Sequence, residues 1–173
     1  PDEGQEVLVV DSASTGESTR ETVERFPGVR YFREDTPGLN RARNRALREA
    51  AGEIVIFTDD DAMPENGWLP AIRNSFADPR VMCVTGLTLP FELETEAQVL
   101  FEQYSPFNRG FRRKVMSKDT LHPLAAGLAG AGVNMAVRKS ILAGVGAFNE
   151  ALDAGTPTLS GGCLLYTSDA ADE

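Results

Sequence analysis

Three consecutive aspartates, Asp59 to Asp61, follow the apolar run Ile54 to Phe57 after a single threonine. Adjacent carboxylates repel each other unless a cation lies between them. Carboxylate oxygens are hard ligands that suit Mg²⁺ and Mn²⁺, and Mg²⁺ commonly bridges protein carboxylates and substrate phosphates. The cluster therefore predicts a divalent-cation site for a phosphate-bearing ligand. On these residues alone, a solvated acidic loop or an acidic helix N-terminus remains the alternative.

Two further features could join this site. Asp11 follows an apolar strand, and the ligands of open α/β sheets bind outside the carboxyl ends of the strands. We therefore expect Asp11 to point into the same crevice as the three aspartates. A helix that begins at Pro37-Gly38 carries a run of arginines, one of which, near the helix start, could reach a nucleotide. The alternative for such a run is a solvated helix face. The run consists of Arg41, Arg43, Arg45 and Arg48.

These residues lie on alternating strand and helix patterns. Apolar runs predict strands over residues 6–10, 29–32, 53–58, 81–89 and 133–137. Helices are predicted between them, over residues 18–26, 38–50, 68–76 and 97–104, with another from residue 139. Gly52 is placed to end the second helix. The alternation predicts an α/β fold on a parallel sheet.

Composition and charge exclude several function classes. The chain has 173 residues, of which 42% are hydrophobic and 25% charged, as in an ordinary single globular domain. The sequence contains neither an apolar run of about 20 residues nor a signal-peptide pattern. The net charge of −9 argues against nucleic acid as the main partner. Cys83 and Cys163 lack metal-ligand spacing and predict a reducing, cytoplasmic location.

Six motifs, in order and spacing, resemble those of the family 2 glycosyltransferases. The resemblance covers residues 5 to 162. It implies the GT-A fold of nucleotide-diphospho-sugar transferases, a Rossmann-like, mostly parallel sheet with helices on both faces, here incomplete. The motifs are Asp11-Ser-Ala-Ser14-Thr after the first strand, Pro37-Gly-Leu-Asn-Arg-Ala-Arg43-Asn44, Phe57-Thr-Asp59-Asp60-Asp61, Pro64-Glu-Asn-Gly-Trp68-Leu, Gly130-Ala-Gly-Val-Asn134-Met-Ala-Val-Arg138 and Val145-Gly-Ala-Phe148-Asn-Glu150.

The resemblance also implies roles for individual residues. Asp59 and Asp61 fit the first and last carboxylates of the family's DXD motif, so that Asp61 would hold Mn²⁺ or Mg²⁺ on the diphosphate. With three aspartates in a row, the register of this motif is open, and Asp60 could take one of these roles. The predicted nucleotide-sugar ligands are Asp11, Ser14, Arg43, Asp59 and Asp60. The residues predicted to line the donor sugar or the acceptor are Gly130, Gly132 and Asn134, although small residues also permit close packing.

The activity implied is transfer of a sugar from a nucleoside diphosphate donor to an acceptor hydroxyl, with a cation stabilising the departing diphosphate. Two alternatives stay open. Haloacid dehalogenase-type phosphatases also place Asp-x-Asp after an apolar strand, but on their first strand, whereas two strands precede Asp59 here. The other alternative is a non-functional fragment left by sequence assembly.

The resemblance further implies that the chain is truncated at both ends. A family strand that lies in the sheet between the segments at residues 6–10 and 53–58 would precede residue 1. The acidic pair that supplies the general base would follow Gly162, so no catalytic base is assigned. Residues 163–173 resemble the in-frame translation of a sequencing adapter. We therefore expect residues 1–162 to be a partial GT-A domain and residues 163–173 not to be native.

Two other features have ordinary interpretations. Trp68 is predicted to pack in the core over the acidic loop; its alternative is a platform for a sugar. A basic run predicts a solvated surface; its alternative is a mobile loop that meets a phosphate-bearing acceptor or an anionic membrane. That alternative would place the parent protein peripherally at the inner face of a membrane. The run consists of Arg109, Arg112, Arg113 and Lys114.

Overall fold

The computed structural model describes residues 4–104, 112–117, 119–120 and 128–158. The chain divides into two compact units, residues 1–55 with 138–173, and residues 56–137. We refer to them as unit 1 and unit 2. The predicted adapter-like tail at residues 163–173 lies outside the described residues, as does Arg109.

Strands and helices alternate along the described chain, as the sequence predicts. The strands are β1 (Val7–Ser12), β2 (Val29–Glu34), β3 (Ile54–Phe57), β4 (Cys83–Thr85) and β5 (Met135–Arg138). The helices are α1 (Ser18–Val23), α2 (Leu39–Glu49), α3 (Trp68–Ser75), α4 (Glu96–Tyr104) and α5 (Leu142–Val145). Two 3₁₀ turns, Gly132–Asn134 and Lys139–Ile141, flank β5.

The strands form two sheets. β1 and β2 pair in parallel, with Val7 opposite Val29 and Asp11 opposite Arg33. The second sheet has the order β3-β5-β4, and β4 runs antiparallel to β5. The predicted parallel pairing is therefore found in β1 and β2, whereas β4 adds an antiparallel strand. No helix among the described residues has both the length and the apolar character needed to cross a membrane.

Several predicted boundaries move for reasons that lie far away in the sequence. Asp11 lies within β1, which continues to Ser12, because the ladder with β2 extends that far. The prediction that Gly52 ends α2 is wrong: α2 ends at Glu49, and Ala50 is already extended. The Glu6 carboxylate accepts the backbone N–H groups of Ala51 and Gly52, at 2.6 and 2.9 Å. These tertiary hydrogen bonds draw the chain out of the helix.

Helix α2 buries a face that is half polar. Ala42 and Leu47 are buried, as their helical spacing predicts. Asn40, Arg43 and Asn44 are buried beside them, at 0%, 6% and 4% exposure. Buried polar side chains are destabilising unless they are hydrogen-bonded, so each of the three requires partners inside unit 1.

Candidate functional site

The Asp11 carboxylate of unit 1 is enclosed by protein donors. Its side chain is 1% exposed. Oδ1 accepts the backbone N–H of Ser14 at 2.9 Å, and Oδ2 accepts the Tyr31 hydroxyl at 2.7 Å and Arg33 Nη1 at 3.2 Å. The carboxylate thus fixes the turn after β1 to the side chains of β2.

Burial raises the pKa of Asp11, but the hydrogen bonds from Ser14 and Tyr31 and the charge of Arg33 outweigh it, so the pKa lies below the usual carboxyl value. The hydrogen bond to this carboxylate raises the pKa of Tyr31. No sequence motif points to Tyr31 or Arg33. Their spacing of two residues puts them on one face of β2, and the parallel register sets Arg33 opposite Asp11.

The N-terminus of α2 is satisfied by protein groups. Gly38, at φ +147°, donates its N–H to Ser12 Oγ at 3.1 Å. The next amide, that of Leu39, donates to the carbonyl of Ala154 at 3.0 Å. Two of the amides that a helix start leaves without intrahelical partners are therefore used within unit 1.

Arg43 joins α2 to the segment at residues 148–158. Its Nη1 lies 3.0 Å from Asp153 Oδ2 and 3.1 Å from Asn40 Oδ1. The guanidinium carbon lies 5.6 Å from the ring centre of Phe148. The side chains of Arg43 and Asp153 are 7% and 13% exposed, and Asp153 takes a left-handed φ of +86°. This arrangement is a buried, hydrogen-bonded ion pair stacked on an aromatic ring.

The two buried asparagines of α2 reinforce the same junction. Asn40 donates to the carbonyls of Asn149 and Leu152, at 2.9 and 3.3 Å. Asn44 donates to the carbonyl of Phe148 at 2.9 Å and accepts the Phe148 N–H at 2.9 Å. The buried polar face of α2 thus forms hydrogen bonds with backbone groups of the segment at residues 148–158. The predicted contacts of Asp11, Ser14 and Arg43 with a nucleotide remain predictions.

The three aspartates of unit 2 lie in an exposed turn directly after β3. Asp59, Asp60 and Asp61 are all exposed, and the Ala62 N–H donates to the Asp59 carbonyl at 3.2 Å. Among the described residues, no group of three or more His, Cys, Asp or Glu side chains is arranged to enclose a metal ion. Mg²⁺ usually binds through one or two carboxylates plus substrate phosphates and water. The exposed carboxylates fit that chemistry, and do not fit an all-protein cage.

Asn134 is the centre of a hydrogen-bond network within unit 2. Its Oδ1 accepts Trp68 Nε1–H at 3.0 Å, and its Nδ2 donates to the Leu87 carbonyl at 3.0 Å. Its backbone carbonyl accepts the Gly86 N–H at 2.9 Å. Trp68 is half-buried at the start of α3 and does not belong to the core that was predicted for it.

The two glycines of the Gly-x-Gly motif precede Asn134. Gly130 has φ +141°, and a Cβ built on it would lie 2.4 Å from Thr85 Oγ1. Close packing against β4 therefore explains a glycine here without a ligand. Gly132 opens the 3₁₀ turn that ends at Asn134. A role for either glycine in lining a sugar remains a prediction.

Residues 1–142 match the family model described as glycosyl transferase family 2. The chain belongs to glycosyl transferase family 2. The resemblance found in the motifs is thereby confirmed, and it extends over both units.

Glycosyltransferases of several organisms are similar to this chain. It is 27% identical to Glycosyltransferase AglE of Haloferax volcanii over 179 residues, which is 99% of this chain and 53% of that protein. It is 35% identical to Probable N-acetylgalactosaminyltransferase 9 of Caenorhabditis elegans over 86 residues, 46% of this chain and 15% of that protein. The chain spans about half of the archaeal relative and a smaller part of the nematode one.

A solved structure shares the fold. Mannosyltransferase PcManGT from Pyrobaculum calidifontis, in complex with GDP-Man and Mn²⁺, is 26% identical with a TM-score of 0.61. The match covers 95% of this chain and 42% of that protein. The fold is therefore the GT-A type of α/β fold, as the sequence predicts.

Proposed function

We propose that this chain is the nucleotide-sugar-binding part of a glycosyltransferase, which transfers a sugar from a nucleoside diphosphate donor to an acceptor hydroxyl. The observation that carries the proposal is the row of exposed carboxylates, Asp59 to Asp61, directly after β3 in a family 2 chain. Neighbouring carboxylates at the surface attract a divalent cation, which can bind a diphosphate at the same time.

In this proposal Asp61 holds Mn²⁺ or Mg²⁺, and Asp59 and Asp60 face the nucleotide. When bound, the cation would stabilise charge on the departing diphosphate. On the nucleotide side Ser14 is exposed, and Asp11 and Arg43 support this side indirectly, because their charged groups are paired within unit 1. The segment from Gly130 to Asn134 contributes to the donor-sugar or acceptor side. The mannosyltransferase that shares the fold was solved with GDP-Man and Mn²⁺, which supports testing GDP- and UDP-linked donors first.

The experiment is calorimetric titration of GDP and UDP into the full chain, with and without Mn²⁺. We expect one nucleotide to bind in the presence of Mn²⁺ and binding to be lost when EDTA removes the metal. Asp61→Asn keeps the shape of the side chain but removes its charge, and should weaken binding by at least about tenfold, the change expected when one close charge–charge contact is lost.

Glu65→Gln is the matched control, because it neutralises another exposed carboxylate four residues after Asp61 in the same loop. It should leave the dissociation constant unchanged. Binding without metal, or equal binding by the wild type and Asp61→Asn, would contradict the proposal.

A phosphatase is the less well supported alternative. Its Asp-x-Asp motif belongs on the first strand, whereas β1 and β2 both precede β3 here. Membership of glycosyl transferase family 2 also favours sugar transfer.

A further inference from the structure

The acidic loop, residues 58–67, has little packing of its own. All of its residues are exposed except Ala62, which is half-buried. Two backbone hydrogen bonds shape its turns, one from Ala62 N–H to the Asp59 carbonyl and one from Trp68 N–H to the Glu65 carbonyl. Gly67 has φ +92° with no atom within 4 Å of a built Cβ, so it turns the chain in open space. The loop is held at its two ends by β3 and by Trp68.

Trp68 is fixed by one side chain from another part of unit 2. The indole N–H can only donate, and its acceptor is Asn134 Oδ1, 66 residues along the chain. The amide of Asn134 then donates to the Leu87 carbonyl. Asparagine can accept and donate at once, so it satisfies both neighbours, whereas alanine satisfies neither.

At position 86, only the hydrogen atom of a glycine fits beside the Asn134 side chain. A Cβ built on Gly86 would lie 2.3 Å from Asn134 Nδ2 and 2.6 Å from its Cγ. Gly86 also donates its N–H to the Asn134 carbonyl. The end of β4 therefore holds Asn134 by its backbone and by its side chain, and Asn134 in turn holds Trp68.

We propose that Asn134 is a positioning residue for the acidic loop: its side-chain amide fixes Trp68 to the end of β4, so that the carboxylates of Asp59 to Asp61 are held in place before a cation binds. The functional part rests on the proposed nucleotide and metal site. The physical reason is preorganisation, because a loop that is already ordered loses less conformational entropy when its ligand binds.

The first test needs neither metal nor nucleotide. Hydrogen–deuterium exchange of the full chain is compared for the wild type, Asn134→Ala and Gly86→Ala. In both variants we expect the hydrogen-bonded amides of Ala62 and Trp68 to exchange at least about tenfold faster, since local opening becomes easier, while β1 in unit 1 is unchanged. Asn74→Ala is the matched control, because it removes an exposed asparagine side chain on α3. Unchanged exchange of the Ala62 and Trp68 amides would overturn the proposal.

The second test asks whether Asn134 acts through Trp68. Trp68→Phe keeps an aromatic ring but removes the indole donor. This variant should still fold if Asn134→Ala does not. We expect each single variant to raise the Mn²⁺-dependent nucleotide dissociation constant by about tenfold, and the double variant to raise it no further. Multiplicative effects would overturn a pathway through Trp68. Absence of binding by the wild type, with faster exchange in the variants, would overturn the proposed function and support the loop contact.

Discussion

At the scale of single residues, Arg33 pairs with two carboxylates in very different surroundings. Asp11 Oδ2 lies 3.2 Å from Arg33 Nη1 and its side chain is 1% exposed, whereas Asp35 Oδ1 lies 3.0 Å from Arg33 Nε and its side chain is 87% exposed. Water can replace the partner of Asp35 but cannot reach Asp11. The two pairs therefore have similar geometry and different energetic consequences.

We predict that Asp11→Asn lowers the free energy of unfolding by about 2 to 3 kcal/mol, the loss expected when hydrogen bonds to a buried charged group are broken. Asp35→Asn should change it by less than about 0.5 kcal/mol, as for an exposed pair. Urea denaturation at pH 7 measures both. Equal losses in the two variants would show that burial of Asp11 is not the cause.

The same pair predicts a pH dependence. The pKa of Asp11 is lower in the folded chain than the ordinary value of 3.8. A carboxyl group with a lowered pKa stabilises the fold above its unfolded pKa, and this stabilisation is lost as the pH falls towards the folded value. The difference in unfolding free energy between the wild type and Asp11→Asn should therefore be constant near pH 7 and shrink below about pH 4. A difference that grows on acidification would contradict this sign.

At the scale of elements, α2 and the 148–158 segment are joined by close backbone contact as well as by Arg43. Gly155 has φ +84°, and a Cβ built on it would lie 2.9 Å from the Gly38 nitrogen and 3.0 Å from its Cα. The obstructing atoms belong to the backbone at the start of α2, so they cannot swing away as a side chain would. Only glycine fits at this contact.

We predict that Gly155→Ala is destabilising by at least about 1 kcal/mol more than Gly16→Ala, because steric overlap is added to backbone strain. Gly16 is the matched control, since it has the same φ of +84° and no atom within 4 Å of a built Cβ. Thermal unfolding followed by circular dichroism measures the difference. Similar losses would mean that the contact with Gly38 relaxes without cost.

At the scale of the whole molecule, large apolar side chains range from fully buried to almost fully exposed. Phe148 is 3% exposed in the junction with α2, whereas Phe91 is 82% exposed. The stretch around Phe91 and helix α4 carries several more exposed apolar side chains, and α4 buries none of its residues. Buried side chains such as Phe148 therefore contribute most of the hydrophobic stabilisation of the fold, and exposed ones such as Phe91 contribute little.

We predict that Phe148→Ala costs about 3 to 5 kcal/mol of unfolding free energy, as for other buried aromatic residues. Phe91→Ala should change it by less than about 0.5 kcal/mol, because the ring is already in water. Chemical denaturation of the full chain compares the two. A large loss on Phe91→Ala would show that this ring is covered in solution.

The local sequence pattern determined the alternation of strands and helices, the parallel pairing of β1 with β2 and the acidic turn after β3. These follow from apolar runs, turn residues and helical spacing, which act over a few neighbouring residues. The family resemblance was also visible in the sequence, and the family match over residues 1–142 confirms it. The antiparallel β4 and the early end of α2 were not predicted, because they depend on pairing with residues outside each segment.

Only the tertiary structure decided the hydrogen-bond and ion-pair partners of the candidate polar side chains. Asp11 meets Tyr31 across 20 residues, Trp68 meets Asn134 across 66, and Arg43 meets Asp153 across 110. A local pattern fixes which face of an element a side chain occupies, but not which distant group comes within about 3 Å of it. The sequence by itself therefore predicted which strands, helices and turns carry the candidate site residues. The packing of distant segments determined which of those side chains bind other parts of the protein.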